Sequence, residues 1–188
     1  MITNRVCLHY ALNKPGKCPY GKKCIFLHSE DWGYKEALKY WSDYQKYFKE
    51  IQDLHTRRWE IIKSLKEIEA DKYYNAKKPK ILKKLWNIEN EINKRAVSWD
   101  NTHPRGPNCY NMRFMTKVGA INYLNDITYK TKKEKIGEIF IMTGKGKNSV
   151  DGVPEIQQHL LDNYDRNACL LKKDMKNQAL LLLTIRKP

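Results

Sequence analysis

A long stretch without helix-breaking residues occupies the first half of the sequence. From Tyr34 to about Tyr74 the sequence contains neither proline nor glycine. Its apolar residues recur at steps of three and four, which places them on one face of a helix. They are Tyr34, Leu38, Trp41, Tyr44, Phe48, Ile51, Trp59, Ile62, Leu65 and Ile68. At 1.5 Å per residue, a helix of about 40 residues would be about 60 Å long, a length typical of a spacer rather than an enzyme core.

A second helix is predicted after a short polar turn. Asn75 and Pro79 interrupt the first pattern, because proline is tolerated only in the first turn of a helix. A second stripe follows with Ile81, Leu85, Ile88 and Ile92. The two stripes predict an antiparallel α-helical hairpin over residues 31–100, whose seam buries both apolar faces. His55 falls on the first stripe, and we interpret it as a core or seam residue rather than a ligand.

The outer face of this hairpin is basic. Two interpretations stay open: the face follows a phosphate backbone, or it is simply solvated. Its cationic residues are Lys35, Lys39, Lys46, Lys49, Arg57, Arg58, Lys63, Lys66, Lys77, Lys78, Lys80, Lys83 and Lys84.

The charge balance predicts a polyanionic partner. The 188 residues include 36 Lys and Arg against 21 Asp and Glu, a formal net charge of +15. A field of one sign and this size attracts polyanions, of which nucleic acids are the commonest. No apolar run approaches the roughly 20 residues that span a bilayer, and the N-terminus has no apolar signal segment. We therefore expect an intracellular, cytoplasmic protein with no membrane partner.

The cysteines indicate a metal site. Cys7, Cys18 and Cys24 lie close to His28 with the spacing C-x10-C-x5-C-x3-H. Three thiolates and one imidazole complete a tetrahedral shell for one structural zinc ion, with no open position for a catalytic water. His9 is a competing ligand, which we place outside the shell because His28 already supplies the fourth donor. The remaining Cys109 and Cys169 lie in apolar stretches and are interpreted as buried, inert thiols.

Residues 18–28 read C-P-Y-G-K-K-C-I-F-L-H. This run resembles the CCCH zinc-finger family, although the first ligand spacing here is slightly long. The resemblance covers about residues 5–30 and implies binding of single-stranded RNA. Matching aromatic positions that would stack on bases are Tyr20 and Phe26, with phosphate contacts from Lys17, Lys22 and Lys23. The alternative is that both rings pack over the zinc core and the finger docks to protein or folded RNA.

A turn-rich segment, residues 101–108, predicts a linker. Beyond it, strands and helices alternate, and two strands end the chain, which indicates an α/β sandwich over residues 109–188. The predicted strands are Cys109–Met115, Glu138–Thr143, Ala168–Lys172 and Ala179–Arg186, and the predicted helices are Thr116–Thr128 and Val153–Tyr164. The chain as a whole is thus predicted to be a multi-part α+β protein: a zinc finger over 1–30, a helical arm over 31–100 and this sandwich.

One loop of the sandwich is suited to anions. Thr143-Gly144-Lys145-Gly146-Lys147-Asn148-Ser149 follows the apolar strand. Glycines at such a junction let backbone N–H groups turn toward an anion. The loop lacks the P-loop pattern and the third glycine of the dinucleotide fingerprint. A plain strand-to-helix turn is the alternative interpretation.

In this context, the region from Cys109 to Lys187 resembles the small MutS-related (Smr) domain family. That family carries T-G-x-G-x-H-S after its second strand and ends on an apolar strand like Ala179–Leu183. The resemblance implies an α/β fold related to the C-terminal domain of bacterial translation initiation factor three. It also implies RNA as the substrate class, since many members are RNA endonucleases and some act at ribosomes.

The departures from the family pattern bear on catalysis. Where the family's first strand ends in Leu-Asp-Leu-His-Gly, this chain has Asn111 for the acid and Arg113 for the histidine, and Asn148 replaces the loop histidine. An amide is no general base near neutral pH, and Arg stays protonated. If cleavage survived, Arg113 and Lys145 would stabilise transition-state charge.

The sequence therefore predicts an RNA-binding protein, associated with the ribosome and acting in translation, whose Smr-like domain is not catalytic. Two alternatives are an active Smr-type endonuclease on messenger or ribosomal RNA, and a protein-binding scaffold that uses the helical arm. RNA contacts predicted on the sandwich are Arg113, Gly144, Lys145, Gly146 and Lys147.

Overall fold

The computed structural model describes residues 33–70, 73–134, 136–146, 152–164, 169–175 and 177–185. The chain divides into two units, Met1–Gln52 and Asp53–Pro188. The fold is mixed α+β, as predicted. Its helices are α1 (Tyr34–Glu67), α2 (Tyr74–Thr102), α3 (Lys117–Lys133) and α4 (Glu155–Asn163), with a short 3-10 turn at Ile68–Ala70. Its strands are β1 (Cys109–Asn111), β2 (Glu138–Met142), β3 (Cys169–Lys173) and β4 (Leu180–Ile185).

Helix α1 confirms the predicted long helix, but it ends at Glu67, with 34 residues rather than about 40. Glu36 in its first turn and Lys66 in its last turn suit the helix dipole. The stripe is not buried throughout: Trp59 is 61% exposed, so its predicted place in the buried seam is wrong. Arg58 Nε donates to Glu89 Oε1 at 2.7 Å. This bond joins α1 to α2 across 31 residues, so the chain reverses direction between the two helices.

Helix α2 differs from the prediction at both ends. It begins at Tyr74, so Pro79 lies inside it rather than ending the pattern. Because Pro79 is only five residues after the helix start, the missing N–H removes one backbone hydrogen bond near that end. At the other end α2 continues through Thr102, two residues into the predicted linker. Ala96 near this end belongs to the buried core that α2 shares with the sheet.

The four strands form one sheet in the order β1-β2-β4-β3. Strands β1 and β2 are parallel, with Asn111 opposite Met142, whereas β4 pairs antiparallel with both β2 and β3. The predicted strands are confirmed to within a few residues, except that β1 ends at Asn111 rather than Met115. It ends there because Asn111 Oδ1 accepts the Arg113 N–H at 3.2 Å and Phe114 takes a left-handed φ of 70°.

The core lies on one face of the sheet. Alternate strand residues such as Ile139, Ile141 and Leu183 are buried there against Leu124 of α3 and Leu160 of α4. The opposite face exposes Phe140 and Leu170. Cys169 is buried, as predicted, while Cys109 is only half-buried.

Candidate anion-binding site

Two segments that the sequence singled out separately meet at one edge of the sheet. Since β1 and β2 are parallel, their carboxyl ends lie side by side. Met112 N–H donates to the Met142 carbonyl oxygen at 2.8 Å, directly before the chain turns at Arg113. From β2 the chain continues into Thr143, Gly144 and Lys145. The carboxyl edge of parallel strands is where α/β sheets commonly bind ligands.

Arg113 is oriented by Asn111. Both the backbone N–H and the Nε–H of Arg113 donate to Asn111 Oδ1, at 3.2 Å and 3.1 Å. The Cγ and Cδ atoms of Arg113 lie 3.7 Å from the position that a Cβ on Gly144 would occupy. The aliphatic part of Arg113 therefore lies over Gly144. Asn111 is 5% exposed, and its amide oxygen holds the arginine side chain at this edge.

Backbone hydrogen bonds and one close backbone contact hold the loop after β2 in place. The N–H groups of Thr143 and Gly144 donate to the Ala179 carbonyl oxygen at 3.0 Å and 3.3 Å. The Gly144 N–H is thus engaged within the sheet rather than turned toward an anion. Gly146, with a φ of 75°, packs so closely on the backbone of residues 152–154 that a side chain there would overlap it. Positive charge at this edge therefore comes from Arg113 and the exposed Lys145, while Lys147 lies outside the described residues.

The side chain of Gln157, on α4, forms a hydrogen bond with Thr143, the first residue of this loop. It is 3% exposed, and its Nε2 donates to Thr143 Oγ1 at 3.3 Å and to the Gln178 carbonyl oxygen at 2.9 Å. A buried amide that bridges two segments restricts the position of both. The base of the loop is consequently tied to the segment that enters β4.

His55 of α1 reaches the turn that carries Arg113. Its Nε2 lies 2.8 Å from the Phe114 carbonyl oxygen. A carbonyl only accepts, so Nε2 carries the proton in this bond. Burial lowers the pKa of His55, and the charge of Arg58 lowers it further. Sequence reasoning missed this role because the two residues are 59 positions apart.

Asp100 of α2 lies behind Asn111. It is 4% exposed, and its two oxygens accept from the Asn111 N–H at 2.9 Å and from the Tyr123 hydroxyl at 3.0 Å. Burial raises the pKa of Asp100, and burial together with that carboxylate raises the pKa of Tyr123. No sequence pattern pointed to this carboxylate, because the residues of α2 were assigned to the arm. With both oxygens engaged, Asp100 supports the strand end rather than facing a ligand.

The predicted zinc ligands Cys7, Cys18, Cys24 and His28 lie outside the described residues. So do the predicted RNA contacts of the finger, Lys17, Tyr20, Lys22, Lys23 and Phe26. Within the described part of the chain, no cluster of three or more His, Cys, Asp or Glu residues is arranged to hold a metal ion. Among the same residues no helix is both long and apolar enough to cross a membrane.

Comparisons of the chain with protein-family models, with curated proteins and with solved structures found no match.

Proposed function

We propose that this chain binds RNA at the carboxyl edge of β1 and β2 and does not cleave it. The observation that carries this proposal is the placement of Arg113, which Asn111 Oδ1 holds over Gly144, the residue before the exposed Lys145. A guanidinium matches the geometry of a phosphate, and a neighbouring ammonium adds a second cation. An arginine held in place by a buried amide also loses less side-chain freedom when the ligand binds.

The net charge and two sequence patterns of the chain favour RNA over a small phosphate-containing molecule as the ligand. The net charge of +15 is far more than one small anion needs, and it suits a partner with many phosphates. The CCCH-like spacing of Cys7, Cys18, Cys24 and His28 supports a zinc-bound RNA contact in the same chain. The Smr-like pattern from Cys109 to Lys187 supports the ribosome as the source of the RNA and translation as the process concerned.

The chemistry of the site argues against phosphodiester cleavage. Asn111 and Arg113 stand where the Smr pattern has an acid and a histidine, and neither removes a proton near neutral pH. Asp100 is a nearby carboxylate, but both its oxygens already accept hydrogen bonds in a buried position. His55 donates its Nε2 proton to the Phe114 carbonyl oxygen. The residues therefore suit phosphate binding better than general acid–base catalysis.

Co-sedimentation of the full chain with ribosomes across a salt series tests this function, with the RNA checked by gel electrophoresis. We expect stoichiometric binding that weakens steeply with salt and leaves the RNA intact. RNA cleavage that the substitution Arg113→Ala abolishes would instead establish the endonuclease. A lack of sedimentation at every salt concentration would overturn the ribosome as partner. Sedimentation that does not respond to salt would point to a protein contact and favour the scaffold.

A further inference from the structure

Two large aromatic side chains of the helical hairpin are exposed. Trp59 of α1 is 61% exposed, and Trp86 of α2 is 65% exposed. The seam between the helices does not account for either ring, because its half-buried positions belong to other residues such as Ile62 and Leu85. A single exposed apolar residue is common on protein surfaces, whereas a group of them on one surface indicates a binding site. The question is therefore whether the two indoles share a surface.

Two hydrogen bonds define one side of the hairpin. His55 Nε2 of α1 lies 2.8 Å from the Phe114 carbonyl oxygen. Asn93 of α2 bonds the same turn, because its Oδ1 accepts the Thr116 N–H at 2.9 Å. His55 and Asn93 therefore mark, on their respective helices, the side that faces the turn at residues 114–116.

Both indoles lie on this side. An α-helix advances by about 100° per residue, so Trp59, four residues after His55, is only about 40° around α1 from it. Trp86, seven residues before Asn93, is about 20° around α2 from that residue. The two tryptophans thus occupy the face of the hairpin that carries the turn.

The two indoles also lie at nearly the same level along the hairpin. The bond of 2.7 Å between Arg58 and Glu89 shows that the helices run in opposite directions, and it places Trp59 opposite Ile88. Trp86 is two residues from Ile88, an offset of about 3 Å along the axis. We name Trp59 and Trp86 the indole pair.

Cations lie on both sides of the indole pair along this face. Lys66 is exposed and follows Trp59 by seven residues, which puts it about 20° around α1 from that ring. In the other direction lies the turn, and Arg113 directly precedes it. The guanidinium carbon of Arg113 is 5.9 Å from the centre of the Phe114 ring. The face therefore runs from the arginine of the candidate site, past two exposed rings, to a lysine.

Single-stranded RNA suits this arrangement better than a folded protein does. Single-strand sites combine aromatic rings on which bases stack with cations that bind the backbone. A standard protein interface buries about 800 Å² on each partner, and Leu82, which is 40% exposed four residues before Trp86, adds little apolar area to the two rings. We propose that bases of a single-stranded RNA stack on the indole pair, in the strand whose phosphate Arg113 binds. This inference rests on the proposed function and deepens it, because it adds unpaired bases to what the chain recognises.

Fluorescence anisotropy of the full chain with a labelled oligouridylate of about 20 nucleotides tests the indole pair. Trp59→Ala/Trp86→Ala removes both rings, and Trp59→Phe/Trp86→Phe keeps rings on which bases can stack. The matched control, Val118→Ala/Tyr129→Ala, truncates two side chains of α3 that are 63% and 76% exposed. Thermal unfolding checks that all three variants fold.

We expect the alanine variant to lose at least tenfold in affinity, and the phenylalanine variant and the α3 control to retain most of it. Equal affinities in the alanine variant and the control would overturn the indole pair. Equal losses in the alanine and phenylalanine variants would contradict stacking, since phenylalanine still offers a ring.

Two further measurements separate stacking from an indirect loss of phosphate contacts. The alanine variant removes no charge, so the dependence of its affinity on salt should match that of the unmodified chain. Its affinity for an RNA duplex of about 20 base pairs should also be unchanged, because paired bases are not free to stack on side chains. A loss for the duplex as large as the loss for oligouridylate would contradict base stacking.

The failure of the indole pair and the failure of RNA binding are distinguishable. Oligouridylate binding that Arg113→Gln/Lys145→Gln weakens, but that the alanine variant leaves unchanged, overturns the indole pair alone and leaves the two rings to a protein partner. A complete lack of binding by the unmodified chain overturns both proposals.

Discussion

The imidazole Nε2 of His55 donates to the carbonyl oxygen of Phe114 at 2.8 Å. Phe114 has a left-handed φ of 70°, an uncommon conformation for an aromatic residue, and it directly follows Arg113. The bond holds this turn from outside, because His55 belongs to α1 and the turn belongs to the end of β1. A helix that the sequence assigned to a spacer thus helps to place the arginine of the candidate site.

This histidine makes stability sensitive to mild acid. The folded-state pKa of His55 is lowered, chiefly by burial, so below about pH 6.5 the unfolded chain takes up a proton that the folded chain does not. The free energy of unfolding therefore falls as the pH drops through this range. Denaturant titrations at about pH 7.5 and about pH 5.5 measure the loss.

The matched variant for this test is His55→Gln, whose amide N–H can donate to Phe114 but does not titrate. We expect the variant to lose less stability between the two pH values than the unmodified chain, since the other histidines are common to both. An identical pH dependence in the two proteins would show that His55 does not contribute.

Gly119 is required by a close approach to α2. A Cβ at this position would overlap the side chain of Asn93. That side chain holds the first residue before α3, because its Oδ1 accepts the Thr116 N–H at 2.9 Å. We expect Gly119→Ala to destabilise the protein by about 1–3 kcal/mol, measured as a lower thermal midpoint. Gly137→Ala is the control, since no atom lies within 4 Å of its added Cβ, and a similar loss there would contradict the explanation.

The buried carboxylate of Asp100 supports the end of β1. Asp100→Ala leaves the Asn111 N–H and the Tyr123 hydroxyl without their acceptor. We expect a loss of about 2–4 kcal/mol in the free energy of unfolding, measured by denaturant titration. Tyr123→Phe removes only one of the two donors, so its loss should be smaller, about 1 kcal/mol. The opposite order of the two losses would contradict the assigned role of Asp100.

The zinc site is tested by metal content. Elemental analysis of the purified chain should find one zinc per chain, and Cys24→Ser should remove it, because a structural site needs all four ligands. Cys109→Ser is the control, since this half-buried thiol lies outside the predicted ligand set. A chain that contains no zinc, or a Cys24→Ser variant that retains it, would refute the ligand set.

Most of the α/β region could be predicted from the sequence because its signals are local. The strand β4 is visible as an apolar run of four leucines, Leu180–Leu183, although only the structure shows that Leu181, Leu183 and Ile185 are the buried positions. The end of β1 at Asn111 was predicted four residues too late, because the left-handed φ of Phe114 in the turn that follows leaves no local pattern, and its carbonyl oxygen is held by His55 of α1. The exposure of Trp59 was not predicted either. Periodicity shows which residues share a helix face, but not which positions of that face a neighbouring element covers.

The candidate site was predictable only in part. The motifs around Arg113 and Gly144 each indicated a strand end, and the parallel pairing of β1 with β2 places those ends together. The hydrogen bonds of His55 and Asp100 at this edge were not predicted, because their partners are distant in sequence or belong to a segment assigned elsewhere. The engagement of the Gly144 N–H by Ala179 also depends on the register of β4, which no single motif encodes.

The decisive measurement of RNA binding at this edge compares the affinities of Arg113→Gln/Lys145→Gln and Lys130→Gln/Lys132→Gln for a labelled oligouridylate. Both variants remove two positive charges, so the general attraction of the chain for RNA falls equally. We expect the first variant to lose at least tenfold in affinity and about one to two counterions of salt dependence, while the second stays close to the unmodified chain. Equal affinities in the two variants would contradict a phosphate site at the edge of β1 and β2.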